Sequence, residues 1–551
     1  MKKTLISVVF SFLFFFSGTG IFAHSSTFLE GQSPIQVVDG RLYFFDVSTD
    51  NRQPILFTSD DKGGVWRASP IASTNFEEGT GSLAINQRSG IFSLFLVNKD
   101  LNPSLYISAD QGKLWRQQVL SGLDLKFTGN HYVNLLSDPK TNDLQLFIYD
   151  FSQDQLNLGT LLYTSADQGV MWTKVVPSVL PDKSFILPSA TSAYFMKYTY
   201  GFKNYFHEDT QKFSSELYLS NDKGLSFKKV TPTGIPENSI LFTLSIDPQT
   251  PTTTYLIALL QDDSTVLLKS TDKGTHWQTV VSQATLGGGK ILDVQVSPAD
   301  SDMVFLYSEE KRFISHDGGA SFIPLSIPQE EIMGFFSLDA NDASALYYTN
   351  LAQQKLKKSV DGGATWIDIT PRYEAAWVSQ AQGTGSLQGT DVKPFLAKAG
   401  GKVELQANFR NSGNVVWTNE GFLKIGFFAY KDINFSGPPQ YSDPTNTALF
   451  GKSWFADASW GPSAEGTVAN VRAALLKETE VLPGAIGTFP FTFSIPADAT
   501  PNKSTDEWAT IYDDRYIRED LTLAWGPNWM SNVTNGDPLK KAHVWFPVRI
   551  E

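Results

Sequence analysis

Between residues 34 and 372 the hydrophobic positions fall into short runs separated by Gly, Asp, Asn and Ser. Arg41-Leu-Tyr-Phe-Phe45, Pro54-Ile-Leu-Phe-Thr58, Glu216-Leu-Tyr-Leu219 and Thr254-Tyr-Leu-Ile-Ala258 are examples. Apolar runs of this length, rich in aromatic and β-branched residues, read as strands. Nearer the C-terminus, Val403-Glu-Leu-Gln-Ala-Asn-Phe409 and Phe489-Pro-Phe-Thr-Phe-Ser-Ile495 alternate, which is the period of a strand with one buried face. One stretch, 466–477, has Val468, Val471 and Leu475 on a common helical face. At the N-terminus, Lys2 and Lys3 precede an apolar stretch from Leu5 to Phe16, and Ile21-Phe22-Ala23 follows. This predicts an export leader, residues 1–23, cleaved before His24, with a retained anchor as the alternative. No later apolar run approaches the roughly 20 residues of a membrane span.

Many of the strand-like runs end on one pattern, Ser-x-Asp-x-Gly-x-x-Trp/Phe, which occurs seven times. Its serines are Ser59, Ser108, Ser165, Ser220, Ser270, Ser315 and Ser359, and its aspartates Asp61, Asp110, Asp167, Asp222, Asp272, Asp317 and Asp361. The copies start 44 to 57 residues apart, close to the period of four-stranded propeller blades, roughly 40–50 residues. As a hairpin turn the pattern has a mechanism. The aspartate accepts backbone N–H groups of its own loop, the glycine supplies a positive φ, and the aromatic residue opens the next strand and packs between blades. The motif resembles the Asp box of sialidases, sortilin-type receptors, xyloglucan hydrolases and photosystem assembly factors. That resemblance covers about residues 34–370. It implies a seven-bladed β-propeller over 34–372 in which the seven aspartates are structural.

Residues 379–391, rich in Gly, Ser, Thr and Gln, read as a linker. Beyond them, Asn411-Ser-Gly-Asn-Val-Val-Trp417 with Asn419 and Gly421, and Val481-Leu-Pro-Gly484 before a Phe-rich strand, resemble the Ig-like domain of Next-to-BRCA-type autophagy receptors. The implied organisation is an all-β chain: a seven-bladed β-propeller followed by an Ig-like β-sandwich over 392–551, with an insertion around 430–475. The resemblance implies a protein-contact or spacer role for the second part.

Composition narrows the chemistry. There is no cysteine, so an exported fold here relies on burial and hydrogen bonding rather than disulfides. The net charge is −13, and loss of the leader with its two lysines takes it to −15. That charge, with no basic run, disfavours nucleic acid and anionic membranes. The six histidines lack metal-ligand spacing, Gly287-Gly-Gly-Lys290 lacks the full phosphate-loop pattern, and no Gly-x-Ser-x-Gly elbow is present. Neither a cofactor nor a metal is expected.

Sialidase activity needs three arginines around a substrate carboxylate. The Arg-Ile-Pro motif that carries the first in those families is missing, and residues 117–311 contain no arginine. Hydrolysis of a neutral glycan needs only two carboxylates. Loops expected opposite the repeated turns offer Asp50, Asp100, Asp150, Asp154, Glu208, Asp209, Asp262, Asp263, Glu309 and Glu310, with ordinary solvated charge as the plain alternative. For binding, the aromatic run Tyr194–Phe206 puts Tyr198, Tyr200 and Phe202 on one strand face. Phe202, Tyr205 and Phe206 are candidates for a platform at its end. Trp454 and Trp460 are candidates to stack on sugars, with core packing as the alternative. The expected function is an exported, non-catalytic propeller, secreted or at the cell surface, that binds an extracellular protein or polysaccharide. The alternative is a glycoside hydrolase.

Overall fold

The structure is a computed structural model. It describes residues 35–550 except 39, 48–53, 72–79, 87, 99, 128–130, 139, 151–158, 178, 182–183, 189–197, 208, 288, 328–333, 351–354, 382–394, 420–424, 430–455, 461–471, 500–509, 514–515, 526–527, 530 and 533–542. The expected leader therefore lies outside the described residues. These are almost all strand or turn, and the helix Gln283–Leu286 is a single turn. No helix among them is long and apolar enough to cross a membrane. Two compact units are present, Met1–Val47 with Phe76–Thr370, and Ser48–Asn75 with Pro371–Glu551.

Residues 35–368 form seven four-stranded sheets, each made of four consecutive strands: a seven-bladed β-propeller. The repeated turn sets where each sheet turns its last corner. Third strands end on its serine, as in Pro103–Ser108, Thr265–Ser270 and Lys355–Ser359. Fourth strands begin one residue past its aromatic side chain, at Arg67, Arg116, Thr173, Lys228, Gln278, Ile323 and Ile367.

Within the turn the geometry barely varies. Each serine Oγ accepts the glycine N–H at 2.8 or 2.9 Å. Each serine hydroxyl donates to the aspartate Oδ1 at 2.7–2.9 Å. That oxygen also accepts the N–H four residues on, at 2.8 or 2.9 Å. The glycines stand at φ between 80° and 93°, where a side chain is strained. At Gly169 a Cβ would also lie 2.0 Å from Leu105 Cδ2.

The sheets pack face to face, so second strands are buried on both sides. Thr254–Leu259 and Val304–Ser308 are buried along their whole length, which explains their unbroken apolar runs. Tyr255, Ile257, Leu267, Val294, Val296 and Leu306 share the core between the fifth and sixth sheets. Polar side chains tie each sheet to the next. Gln36 Nε2 donates to Leu83 O (2.6 Å), Leu135 N to Ser82 Oγ (2.9 Å) and Gln145 Nε2 to Lys223 O (2.8 Å). Asn204 Nδ2 donates to Leu241 O (2.9 Å), Phe336 N to Tyr307 Oη (3.1 Å), and Ser337 Oγ closes the ring onto Ile35 O.

In the second unit, Ile486–Ser494, Lys402–Asn411, Glu374–Ala381 and Ser531–Asn532 lie side by side in one sheet. Phe395–Ala397, His543–Ile550, Tyr516–Trp525, Ile425–Ala429 and Arg472–Leu475 lie in another, seven-stranded sheet. Phe409, Trp417, Phe489 and Phe493 are fully buried there. The hairpin of the first repeat belongs to this unit: Trp66 N donates to Asn414 O (2.8 Å), Val416 N to Trp66 O (2.9 Å), and Arg67 pairs with Glu480 at 2.6 Å. Two expectations change. Ser379–Ala381, read as the start of a linker, are strand residues paired with Gln406–Asn408; residues 382–391 lie outside the described residues. Arg472–Leu475, read as the end of a helix, is a strand paired with Ile425–Ala429, because backbone partners across a sheet outweigh a weak helical period.

Two outcomes follow from the turn. Ser315→Ala leaves the Gly319 N–H without its acceptor inside a buried turn, so urea unfolding should show a loss of about 1–3 kcal/mol. Asp317 and Asp361 are held down to about 2, by the Ser321 and Thr365 hydroxyls first and then by backbone N–H groups and the repeat serines. A depressed carboxyl contributes stability above its unfolded value, 3.8, and loses it as pH falls through its folded value. Thermal stability should therefore fall steadily from about pH 4 to pH 2, and less steeply in an Asp317→Asn, Asp361→Asn variant.

Candidate functional site

The fourth sheet carries the aromatic candidates on its long second strand, Thr199–His207. Phe202 is 3 % exposed, in the core with Tyr200, Leu241 and Trp277, which removes it from any open platform. Alternation put Tyr200 and Phe202 on one face, and that face is the one buried against the fifth sheet. Tyr205 is half-buried and donates to Glu216 Oε2 at 3.0 Å; burial and that bond raise its hydroxyl pKa. Glu216 also takes Tyr218 Oη at 2.7 Å and the Lys229 ammonium, so Tyr205 is one member of a closed network. Phe206, also half-buried, meets Phe213 at 5.0 Å between centroids and covers Ile240 and Leu259. Trp460 is 2 % exposed and its Nε1 donates to Thr492 O at 2.8 Å. There it covers a carbonyl of the strand Ile486–Ser494 and offers no ring to a sugar. Trp454 lies outside the described residues.

Three of the loop acids have bonded partners, one of them within its own loop. Asp262 Oδ1 accepts Ser264 N and Oγ (3.1 and 2.6 Å). Asp263 pairs with Lys290 at 2.6 Å, and Glu309 Oε2 accepts Lys290 N at 3.1 Å. Lys290 ends the Gly287–Lys290 run, which is the connection from the fifth sheet to the sixth. Asp100, Asp209 and Glu310 are exposed. Asp50, Asp154, Glu208 and the Asp150 side chain lie outside the described residues.

Just past Lys290 the chain builds a polar centre that the sequence reading did not single out. The first strands of the fifth and sixth sheets, Ile240–Ile246 and Ile291–Val296, each carry one extra residue against their neighbours, at Phe242 and at Leu292. Such bulges re-aim the side chain that follows. Here the following residues are Thr243 and Asp293, and Thr243 Oγ1 donates to Asp293 Oδ1 at 3.1 Å. Asp293 Oδ1 also accepts its neighbour's N–H, from Val294, at 2.8 Å. Gln295, two residues on, accepts Tyr307 Oη at 2.9 Å. Arg312, 6 % exposed, lies over the Tyr307 ring at 5.1 Å and donates through Nη1 to Ser308 O (2.6 Å) and Lys311 O (3.1 Å). Asp293 keeps a little accessible surface but is enclosed by protein. Burial pushes its carboxyl up to about 6, against the pull of Val294 N–H, Thr243 and Arg312. Burial lowers the Arg312 pKa, while Tyr348, Tyr307 and Asp293 support its charge.

Two faint signals for this centre stand in the sequence. Asp293 interrupts an apolar strand, Ile-Leu-Asp-Val-Gln-Val, and Arg312 ends the long arginine-free stretch. Chemically, Asp293 can hold a proton near neutral pH and hydrogen-bond a neutral hydroxyl or amide. Among the described residues no cluster of three or more His, Asp or Glu side chains is placed to hold a metal.

No family model matches the chain, and no curated protein matches it. Solved structures similar to it include YCF48 bound to a D1 peptide, at 12 % identity over 59 % of this chain and 92 % of that one, with a TM-score of 0.37. A GH74 xyloglucanase from Xanthomonas campestris is 14 % identical over 92 % of this chain and 79 % of its own, with a TM-score of 0.42. The β-propeller domain of the trilobed protease from Pyrococcus furiosus is 10 % identical over 61 % and 97 %, with a TM-score of 0.39. The propeller itself is read from the strand pairing of this chain.

The covered carbonyl at Thr492 gives a direct check. Trp460→Phe removes the indole N–H and puts a smaller phenyl ring in a buried site, and should cost about 1–3 kcal/mol in denaturant unfolding while leaving retention on any polysaccharide unchanged.

Proposed function

We propose that this chain is an exported, non-catalytic Asp-box propeller that binds an extracellular protein or glycan, with an Ig-like C-terminal unit as a second contact or spacer module. The single observation that supports it most is the state of the acids. Glycoside hydrolysis asks for two carboxyl groups about 5–9.5 Å apart across a sugar. Asp262 is bonded within its loop, Asp263 and Glu309 both bond to Lys290, and the partners set against Asp293 are Thr243, the Val294 N–H and Arg312. A carboxyl with no second carboxylate among these partners suits hydrogen bonding better than bond cleavage. The seven similar turns support the structural reading of the repeat aspartates, because each carboxylate accepts at least two donors of its own loop on Oδ1. Export rests on the leader-like N-terminus, and the absence of cysteine is compatible with it.

The test is to offer the purified mature chain a panel of neutral and acidic polysaccharides, scoring retained protein and released sugar together. Retention without release is the expected result. Release that vanishes in Asp293→Asn or Glu309→Gln overturns the non-catalytic reading in favour of a glycosidase. Neither retention nor release removes polysaccharide as the ligand and leaves protein.

A further inference from the structure

The first strands of successive sheets meet one another, as Thr80–Asn86 meets His131–Ser137 and Ile240–Ile246 meets Ile291–Val296, so they lie nearest the propeller axis. On the last two, Leu244, Ile246, Val294 and Val296 turn into the cores between sheets. Alternation puts Thr243, Ser245, Asp293 and Gln295 on the opposite faces, and all four keep partial exposure. Two of these side chains are held by one end only. Asp293 Oδ1 accepts Thr243 Oγ1 at 3.1 Å and Val294 N at 2.8 Å, which leaves Oδ2 to other partners. Tyr307 Oη accepts Phe336 N at 3.1 Å and gives its proton to Gln295 Oε1 at 2.9 Å, which leaves the Gln295 Nε2 amide uncommitted. Among the described residues Asp293 Oδ2, Gln295 Nε2 and Ser245 Oγ make no hydrogen bond, and none of the three is walled off from solvent. We propose that these three atoms form a binding site at the axis, between the fifth and sixth sheets, for a neutral vicinal diol, the pair of adjacent hydroxyls carried by a terminal sugar unit or a polyol.

The chemistry of the three atoms selects that class. A carboxylate oxygen only accepts, an amide N–H only donates, and a hydroxyl does both. Adjacent sugar hydroxyls offer the same mixture in return, and a hydroxyl donating to a carboxylate makes the stronger kind of hydrogen bond. An anion is repelled by Asp293. An added cation has to share that carboxylate with Arg312, whose guanidinium lies over the Tyr307 ring at 5.1 Å. Thr243, Val294 and Tyr307 fix two of the three groups before any ligand arrives, so little side-chain freedom remains to be lost on binding. The inference rests on the glycan half of the proposed function and says where on the propeller such a ligand is held.

The probes are D-glucose, D-galactose and D-xylose, titrated calorimetrically into the purified mature chain, with D-glucuronate as the anionic comparison. At least one neutral sugar should bind saturably, and D-glucuronate more weakly. Asp293→Asn should weaken that binding roughly tenfold or more, and Ser245→Ala about threefold, with circular dichroism unchanged. The Ser245 hydroxyl makes no hydrogen bond within the fold, so its variant carries the test alone should Asp293→Asn fail to fold. Saturable binding that neither variant weakens overturns the site, as does the absence of binding by all three sugars. Polysaccharide retention separates this failure from that of the wider reading. Retention that both variants keep in full overturns the axial site and leaves the glycan reading standing, whereas no retention by the wild-type chain removes both.

Discussion

The fold depends on one small hydrogen-bonded circuit repeated seven times. A serine hydroxyl takes the N–H of a glycine four residues on and gives its own proton to an aspartate. The aspartate then takes a further backbone N–H. Because the hydroxyl both accepts and donates, the centre of the turn is held by its own side chains, while its outer groups bond neighbouring elements, as Gly318 N does to Asp302 O at 2.8 Å. The corner between third and fourth strand is thus centred on contacts within the turn. Charge matters as well, since a carboxylate accepting several N–H and O–H donors is a stronger partner than a neutral oxygen.

Joining the sheets is a different problem. Apolar runs on second strands bury both faces between neighbours, a contact that is strong but unspecific about height. The polar ties between sheets set that height, one junction at a time. Most use an amide or hydroxyl that is indifferent to pH. At the junction of the fifth and sixth sheets two bulges place a threonine against a carboxyl beside a buried arginine. This concentrates polar and ionisable groups at one point of an otherwise apolar seam. It is also where Lys290, Asp263 and Glu309 gather, so packing and loop chemistry are coupled there.

Legibility differed by element. The turns were fully readable, because Ser, Asp, Gly and the aromatic residue act within eight residues of chain. Burial of Phe202 was half-readable: alternation showed which residues share its face, but only packing showed that the fifth sheet covers it. Trp460 could equally have been platform or core, and the deciding partner, Thr492 O, lies 32 residues away. Within the stretch 466–477 the described residues 472–475 misled, because aliphatic spacing suggested a helix where a strand partner that the sequence does not announce holds them; residues 466–471 lie outside the described residues.

What the sequence determined by itself is therefore the number of propeller sheets, the place of each of their third-to-fourth turns and the all-β class, since the turns rest on contacts between residues close along the chain. Only the tertiary structure decided that Asp293 is enclosed beside Thr243 and Arg312, with its carboxyl pushed up by burial, rather than a stray polar residue in a strand. The bulge beneath it, the donor at Thr243 and the cation at Arg312 come from three different strands of two sheets, and a carboxyl's ionisation depends on what surrounds it in space, which chain order does not encode.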